Sequence, residues 1–565
     1  MRSRASFGST LFTIAVAAIL VASCSDSGDS SDSGDSGTAS GDAASAPAEW
    51  VLLGRDLANS RAAVDETAVG PDNVADLRPS WELADVNGVS GTPIVADGDV
   101  FIGDWTGHVR ALDAATGEQR WDRDLSTNYI GGAVAIDDAR VFVGTFDARL
   151  VALDRETGEP VWESPVGEDD PQSAVFGSPV VVDDLVIIGV ASYEEFGSDA
   201  PTFRGHVDAL DAATGEEVWR HYLTAGDETE GPGVSVWSSP AVDVDRGQVY
   251  VGTGQAYAPP ASPRSNALVA LDLETGDELW VRQFTPNDVW MLGGPDGPDA
   301  DVGAPPNLFE VDGTDAIGVG DKGGAYHALN RDTGEEIWSH QLTVGGLQGG
   351  VMASAAVEGG RIYVASNRAS LDADLVALDQ SSGDEVWRVD VGGHVTGPVT
   401  WANGVVFVSD DTGRVAGYDA DDGERLWSHE VAAPAAGGIA VVDGTVYAGW
   451  GWWLAAPPEQ PQGGLIAFRV DGEAAAPDES GGASDESSAG QGEEIFTQSC
   501  AACHGGSGEG GSGPSLEGVD NRMSREEHIA VVTNGRGRMP GWEGTLSDEE
   551  IEAVVDYERS VLSAG

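Results

Sequence analysis

Through most of this chain an apolar, strand-sized run ends on Asp or Asn, a Thr-Gly turn follows, and a second run restarts toward a tryptophan. The pattern reads Ala-Leu-Asp, two variable residues, Thr-Gly, three variable residues, Trp. Its clear copies begin at Leu112-Asp113, Leu153-Asp154, Leu210-Asp211, Leu271-Asp272, Leu329-Asn330, Leu378-Asp379 and Tyr418-Asp419. They close on Trp121, Trp162, Trp219, Trp280, Trp338, Trp387 and Trp427. The Asp or Asn side chain caps a turn, and Gly supplies its positive φ. The tryptophan leaves on the second strand, large enough to fill the gap against a neighbouring copy.

One such hairpin cannot bury its own faces, so copies roughly forty to sixty residues apart must stack on each other. Four short strands per repeat of that length predict a β-propeller. An eighth tryptophan, Trp81, has no strand of its own before it, and Gly464–Arg469 at the far end reads as its missing partner. Pairing the two closes the ring and removes two edges, which predicts eight blades. Seven blades with Trp81 packed outside is the alternative.

The flanks are different in kind. Arg2 and Arg4, the apolar run Leu11 to Ala22 and small residues before Cys24 form an export signal. Cys24 resembles a lipobox cysteine, which implies lipid attachment at a membrane outside the cytoplasm; a plain signal peptide with an incidental cysteine is the alternative. Residues 1–24 are then the signal, 25–47 an acidic tether and 48–471 the propeller. A linker of Ala, Gly, Ser, Asp and Glu at 472–490 precedes an all-α domain at 491–565, with capping boxes at Ser524 and Ser547.

Only three cysteines occur, Cys24, Cys500 and Cys503, so each reads as reserved for a covalent attachment. Cys500-Ala501-Ala502-Cys503-His504 is the haem c attachment pattern: two thiols add to the porphyrin and His504 sits under the iron. The helical domain resembles the small class I cytochromes c. That resemblance implies Met539, in a Gly-rich loop, as the second axial ligand, with Met523 as competitor, and Pro514 as the segment that orients His504. The formal charge of −66 excludes nucleic acid as a partner, since phosphate contacts need Lys and Arg clusters. Its acidic surface fits either a saline habitat or a lineage bias.

The Asp-x-x-Thr-Gly-x-x-x-Trp repeats and their flanks resemble the pyrroloquinoline quinone (PQQ) dehydrogenases, nearest to the polyvinyl-alcohol dehydrogenase branch. Outer-membrane assembly scaffolds that bind no cofactor share the repeat, so the pocket segments carry the distinction. By resemblance, Glu195 is a Ca²⁺ ligand and Trp237 lies under the PQQ ring. Gln255 stands where the family has a metal-binding Asn. Asp299, in Asp299-Ala300-Asp301, is the general base, and Asp301 is the second carboxylate found in lanthanide-using relatives; both join the metal set. Lys322, the only lysine of the chain, stands where the family places a cation beside the quinone oxygens. Oxygen donors suit a hard cation, and an Asp within reach of a hydroxyl can take its proton. The family often covers the ring's other face with a disulfide of adjacent cysteines, which this chain lacks.

The expectation is an exported, lipid-anchored quinohaemoprotein that oxidises an alcohol with PQQ and Ca²⁺ or a lanthanide. Electrons would pass through its own haem c to an external cytochrome or terminal oxidase. The alternative is a non-catalytic propeller scaffold joined to a haem c electron carrier.

Overall fold

The computed structural model describes residues 49–470, except 85, 168–170, 199, 296, 371 and 452–461; toward the C-terminus it describes 495–496, 500, 504, 514–516, 518–519, 522–534, 536 and 548–560. Eight antiparallel sheets of four principal strands form a propeller, and seven are local in sequence. Blade one runs Ile94–Ala96, Asp99–Gly103, His108–Asp113 and Gln119–Asp124. Blade eight is composite: Ile439–Val442, Thr445–Gly451 and Gly463–Arg469 take Arg78–Leu83 as their fourth strand. Its register pairs Arg78 with Arg469 and Trp81 with Ala467. The expected first-to-last closure is therefore present.

The repeat works as a docking device between blades. In blade one, Asp113 Oδ1 accepts from the backbone N–H of Ala115 and Thr116, at 3.0 and 2.9 Å, which builds the turn. Gly117 follows at φ +74°, and a Cβ there would stand 2.6 Å from the indole of Trp81. The same closeness holds for Gly158 on Trp121 and Gly276 on Trp219. Each of the eight indole N–H groups then donates to a carbonyl of the next blade at 3.0–3.3 Å, from Trp81 to Ala114 round to Trp427 on Leu77. Glycine is required because the aromatic ring occupies the side-chain position.

One end of the ring is sealed by a segment with no repeat pattern at all. Between Trp50 and Ala63 the chain meets the innermost strand of every blade in turn. Trp50 bridges Val95, and Val51 O, Leu57 O, Ala58 O, Ser60 O and Arg61 O accept from Ile136, Val242, Leu308, Val357 and Trp401. Leu52 packs with Val180 and Val182 of blade three, and Arg61 donates to Ile439 O in blade eight at 3.1 Å. Arg61 is fully buried under Trp50, its guanidinium bound to Leu53 O, Val399 O and the Thr400 hydroxyl. A buried cation is tolerated when its donors are matched.

In the C-terminal part, α1 (Arg525–Asn534) begins directly after Ser524, as the capping box requires, and α2 spans Asp548–Ser560. Ile551, Val554 and Val555 of α2 pack with Ile495, Phe496, Cys500, Leu516 and Val532. Leu562, the tether and the linker lie outside the described residues, as do Cys24, Cys503, Met539 and the second capping serine. Among the described residues no helix is long and apolar enough to cross a membrane.

Candidate active site

The site lies at the other end of the ring, on turns between second and third strands and on loops between blades. The default turn is tight: in blade one, Asp104 Oδ1 accepts from Thr106 N and His108 N, at 2.8 and 3.1 Å. Blades three and four replace it with longer loops. In blade three a 3-10 turn spans Glu194–Phe196. Glu194 is structural: its carboxylate accepts from Thr202 N and Phe203 N, each at 2.9 Å, and ties the loop shut. That leaves Glu195 at the mouth. In blade four, Gly254 has the Asp301 carboxylate 3.3 Å from where its Cβ would be, so a side chain there would crowd the close approach of these two loop segments.

Asp299 and Asp301 come from the loop between blades four and five. They are held by a residue whose role the sequence did not reveal. Asp288, fully buried, accepts with Oδ2 from Ala300 N at 2.9 Å and from Asn266 Nδ2 at 2.6 Å. Its neighbour Asp299 adopts φ +54°, a conformation that costs on the order of 1 kcal/mol or more outside glycine. The clamp at Ala300 sets where both carboxylates point.

The expected residues converge. Gln255 Nε2 donates to Glu195 Oε2 at 3.1 Å, and Gln255 N to Asp301 Oδ1 at 2.8 Å. Trp237 Nε1 donates to Asp301 Oδ2 at 2.9 Å. Lys322 Nζ donates to Asp299 Oδ1 at 2.6 Å, and its backbone N–H to Asp301 O at 2.8 Å. Gln255, Asp299, Asp301 and Lys322 are all at least nine-tenths buried. Asp299 pairs with Lys322 here, while Glu195, Gln255 and Asp301 form the other half of the network.

Burial dominates the electrostatics. Desolvation, reinforced by Asp301 and opposed by Lys322, pushes Glu195 up to about 8. Desolvation likewise pushes Asp301 up to about 6, with Lys322 opposing and Asp299 adding. Asp299 is raised by burial against the pull of Lys322. For Lys322, burial lowers the affinity for its proton, but Asp301, Asp299 and Glu195 together outweigh it and the shift is upward. Three carboxylates and one ammonium leave the cluster two negative charges in excess when all are ionised.

That donor set fits a hard divalent cation. Among the described residues no three His, Cys, Asp or Glu side chains stand together tightly enough to hold a metal by themselves. A cation there would draw on Glu195, Asp301 and the amide of Gln255, and carboxylate oxygens retain lone pairs after accepting two N–H bonds. Asp299 Oδ2 is buried with no hydrogen-bond partner, an acceptor left over for something the chain does not itself provide. Trp237 offers the flat apolar surface a planar ring would lie on, its own benzo edge against Gly303.

At the haem motif, Cys500 and His504 are buried, and His504 Nδ1 lies 2.8 Å from Pro514 O. That bond fixes the tautomer and leaves Nε2 free for iron. Met523 O accepts from Arg559 Nη1 at 3.0 Å.

Fold and site together define a propeller quinoprotein. Residues 50–344, more than half the chain, match the family described as the β-propeller domain of glucose/ethanol/alcohol dehydrogenases that carries the name PQQ, and the chain belongs to that family. Residues 322–493 match a second repeat family, described as the outer membrane protein assembly factor BamB, and 487–557 match the cbb3-type cytochrome c oxidase subunit III domain. The chain is 29% identical to a polyvinylalcohol dehydrogenase of a Pseudomonas species over 59% of this chain and 52% of that protein. It is 26% identical to the quinohemoprotein alcohol dehydrogenase of Comamonas testosteroni over 91% of both. The chain thus spans about half the length of the polyvinylalcohol dehydrogenases it matches. The crystal structure of the Comamonas testosteroni protein superposes with a TM-score of 0.66 at 24% identity, covering 92% of this chain and 96% of that one. A europium-containing methanol dehydrogenase superposes at 0.61 and 20% identity, over 75% of this chain and 98% of that one.

Proposed function

We propose that this chain is an exported, lipid-anchored dehydrogenase that oxidises an alcohol at the propeller mouth and passes the electrons through its own haem c to an external cytochrome or oxidase. The observation that supports it most is the buried Glu195–Gln255–Asp301–Trp237 network beside the Lys322–Asp299 pair, with one Asp299 oxygen unclaimed. The relatives named for quinohaemoprotein and polyvinylalcohol dehydrogenation support an alcohol as substrate, and a secondary or polymeric one in particular.

When bound, PQQ would supply the two-electron acceptor and Ca²⁺ or a lanthanide the Lewis acid that polarises it. The chain does the rest. Glu195, Gln255 and Asp301 would hold the cation, and at such a site Glu195 and Asp301 would stay ionised against burial. Trp237 orients the flat ring. Lys322 fixes Asp299 through Oδ1, which leaves Oδ2 to take the hydroxyl proton of the alcohol. Asp288, through Ala300, holds that oxygen in place. Cys500 and Cys503 would anchor the haem and His504 and Met539 would ligate its iron, while Pro514 O aims the His504 ring.

The test is dye-linked alcohol oxidation by purified protein after addition of PQQ and CaCl₂, over a panel of primary, secondary and polymeric alcohols. Activity that needs both additions and fails in Asp299→Asn supports the enzyme. Saturable binding of neither, with no oxidation of any alcohol, favours a scaffold with an attached electron carrier.

A further inference from the structure

Five aromatic rings that occupy no repeat tryptophan position stand together at the mouth beside blades one to three. Trp105 is in the second-to-third-strand turn of blade one, Tyr129 in the loop to blade two and Phe146 in the corresponding turn of blade two. Phe176 is in the next inter-blade loop, and Tyr193 precedes the 3-10 turn of Glu195. Tyr129 is central, its ring 4.5 Å from Trp105, 5.5 Å from Phe146 and 6.5 Å from Phe176. Phe146 lies parallel to Tyr193 at 5.2 Å and 12°.

This wall adjoins the site at both ends, along the chain at one and through a shared cavity at the other. Tyr193 is two residues from Glu195 on one loop. Phe176 borders the same cavity of about 140 Å³ as Trp237, together with Gly131, Gly132, Gly177 and Gly303. The Tyr129 hydroxyl lies over Gly131, 2.1 Å from where a Cβ would stand, so any side chain there would displace it. Apart from Trp105 the rings are only half-buried, which is unexpected for a cluster whose sole task is packing.

We infer that these rings are the second side of the cofactor chamber, with Tyr129 lying across the flat cofactor from Trp237 and donating its hydroxyl to a cofactor oxygen. The inference rests on the PQQ reading above. It explains how the chain dispenses with the cysteine pair that family members place over the ring, since no cysteine lies in the propeller.

The test is equilibrium dialysis of the cofactor-free protein against PQQ in the presence of CaCl₂, with thermal unfolding of each variant as the check on folding. Tyr129→Ala and Phe146→Ala are expected to weaken PQQ binding by roughly tenfold or more, and Tyr129→Phe by about threefold through loss of the hydroxyl alone. Leu279→Ala, on an exposed outer strand, leaves binding unchanged. Should Tyr129→Ala fail to fold, Tyr129→Phe still decides, because it keeps the ring. Wild-type affinity in Tyr129→Phe and Phe146→Ala, with weakened binding in Trp237→Ala, overturns the wall and leaves the cofactor reading standing. Absence of saturable PQQ binding in the wild type removes both.

Discussion

The two ends of the ring bury charge in opposite ways. At the sealed end the buried cation is matched inside the chain: Arg61 has carbonyls and hydroxyls for its guanidinium, and the turn aspartates between third and fourth strands collect donors. Hydrogen bonds from the Thr157 and Thr214 side chains, then from their backbone N–H groups, hold Asp154 and Asp211 below the usual carboxylate range. In the acidic cluster at the mouth carboxyls are pushed the other way. Glu195, Asp299 and Asp301 are raised by burial, one lysine serves three carboxylates, and Asp299 Oδ2 is unclaimed. In this cluster of three raised carboxyls around one lysine, the unsatisfied charge marks the place where a ligand would complete the structure.

The sharpest way to break this contrast is to change one charge at each end. Asp299→Asn is expected to lower alcohol oxidation by roughly 10²- to 10⁴-fold while the melting temperature stays near that of the wild type. Arg61→Met should do the reverse, costing about 3–5 kcal/mol in denaturant unfolding because several buried carbonyls lose their donor, with activity per folded molecule unchanged. If Arg61→Met instead abolished activity without loss of stability, the division between the two ends would be wrong.

pH separates the ends as well. A carboxyl raised by folding contributes stability that is complete below its unfolded value of about 4 and is lost as pH rises. For the mouth the loss runs through about 6 for Asp301 and about 8 for Glu195. Metal-free protein should therefore lose stability from the mouth between about pH 4 and 8. Ca²⁺, which requires the ionised forms, should raise the melting temperature little at pH 5 and most above pH 8. The lowered turn aspartates act with opposite sign, their stability present above about 4 and lost only in acid. A Ca²⁺ effect that is independent of pH would count against Glu195 as a ligand.

The smallest effect belongs to the docking girdle. Gly158→Ala places a methyl 2.6 Å from the Trp121 ring at φ +68°, so about 1–3 kcal/mol of stability should go, with KM for the alcohol unchanged. Thermal unfolding beside steady-state kinetics measures both.

The girdle was legible in the sequence because each blade repeats one local solution: Asp caps, Gly yields space, Trp docks. The closure through Trp81 was legible for the same reason, since a tryptophan without a hairpin demands a partner. Glu195, Trp237, Gln255, Asp299, Asp301 and Lys322 came from resemblance, and the structure brings them together. What stayed hidden acts through the backbone or depends on loop geometry. The sealing segment Trp50–Ala63 bonds by main-chain carbonyls and has no side-chain period. Asp288 and Glu194 are acids in a chain with 95 Asp and Glu residues, told apart only by the N–H groups they accept. Tyr129 and its neighbours are far apart in sequence and meet only because consecutive blades set their turns side by side.

The most direct measurement is an anomalous-difference map from a crystal grown with PQQ and LaCl₃. One ion bounded by Glu195, Gln255 and Asp301, beside a planar density lying on Trp237, is the expected result. Lanthanum confined to the acidic outer surface, with the mouth closed by the chain's own side chains, would contradict it.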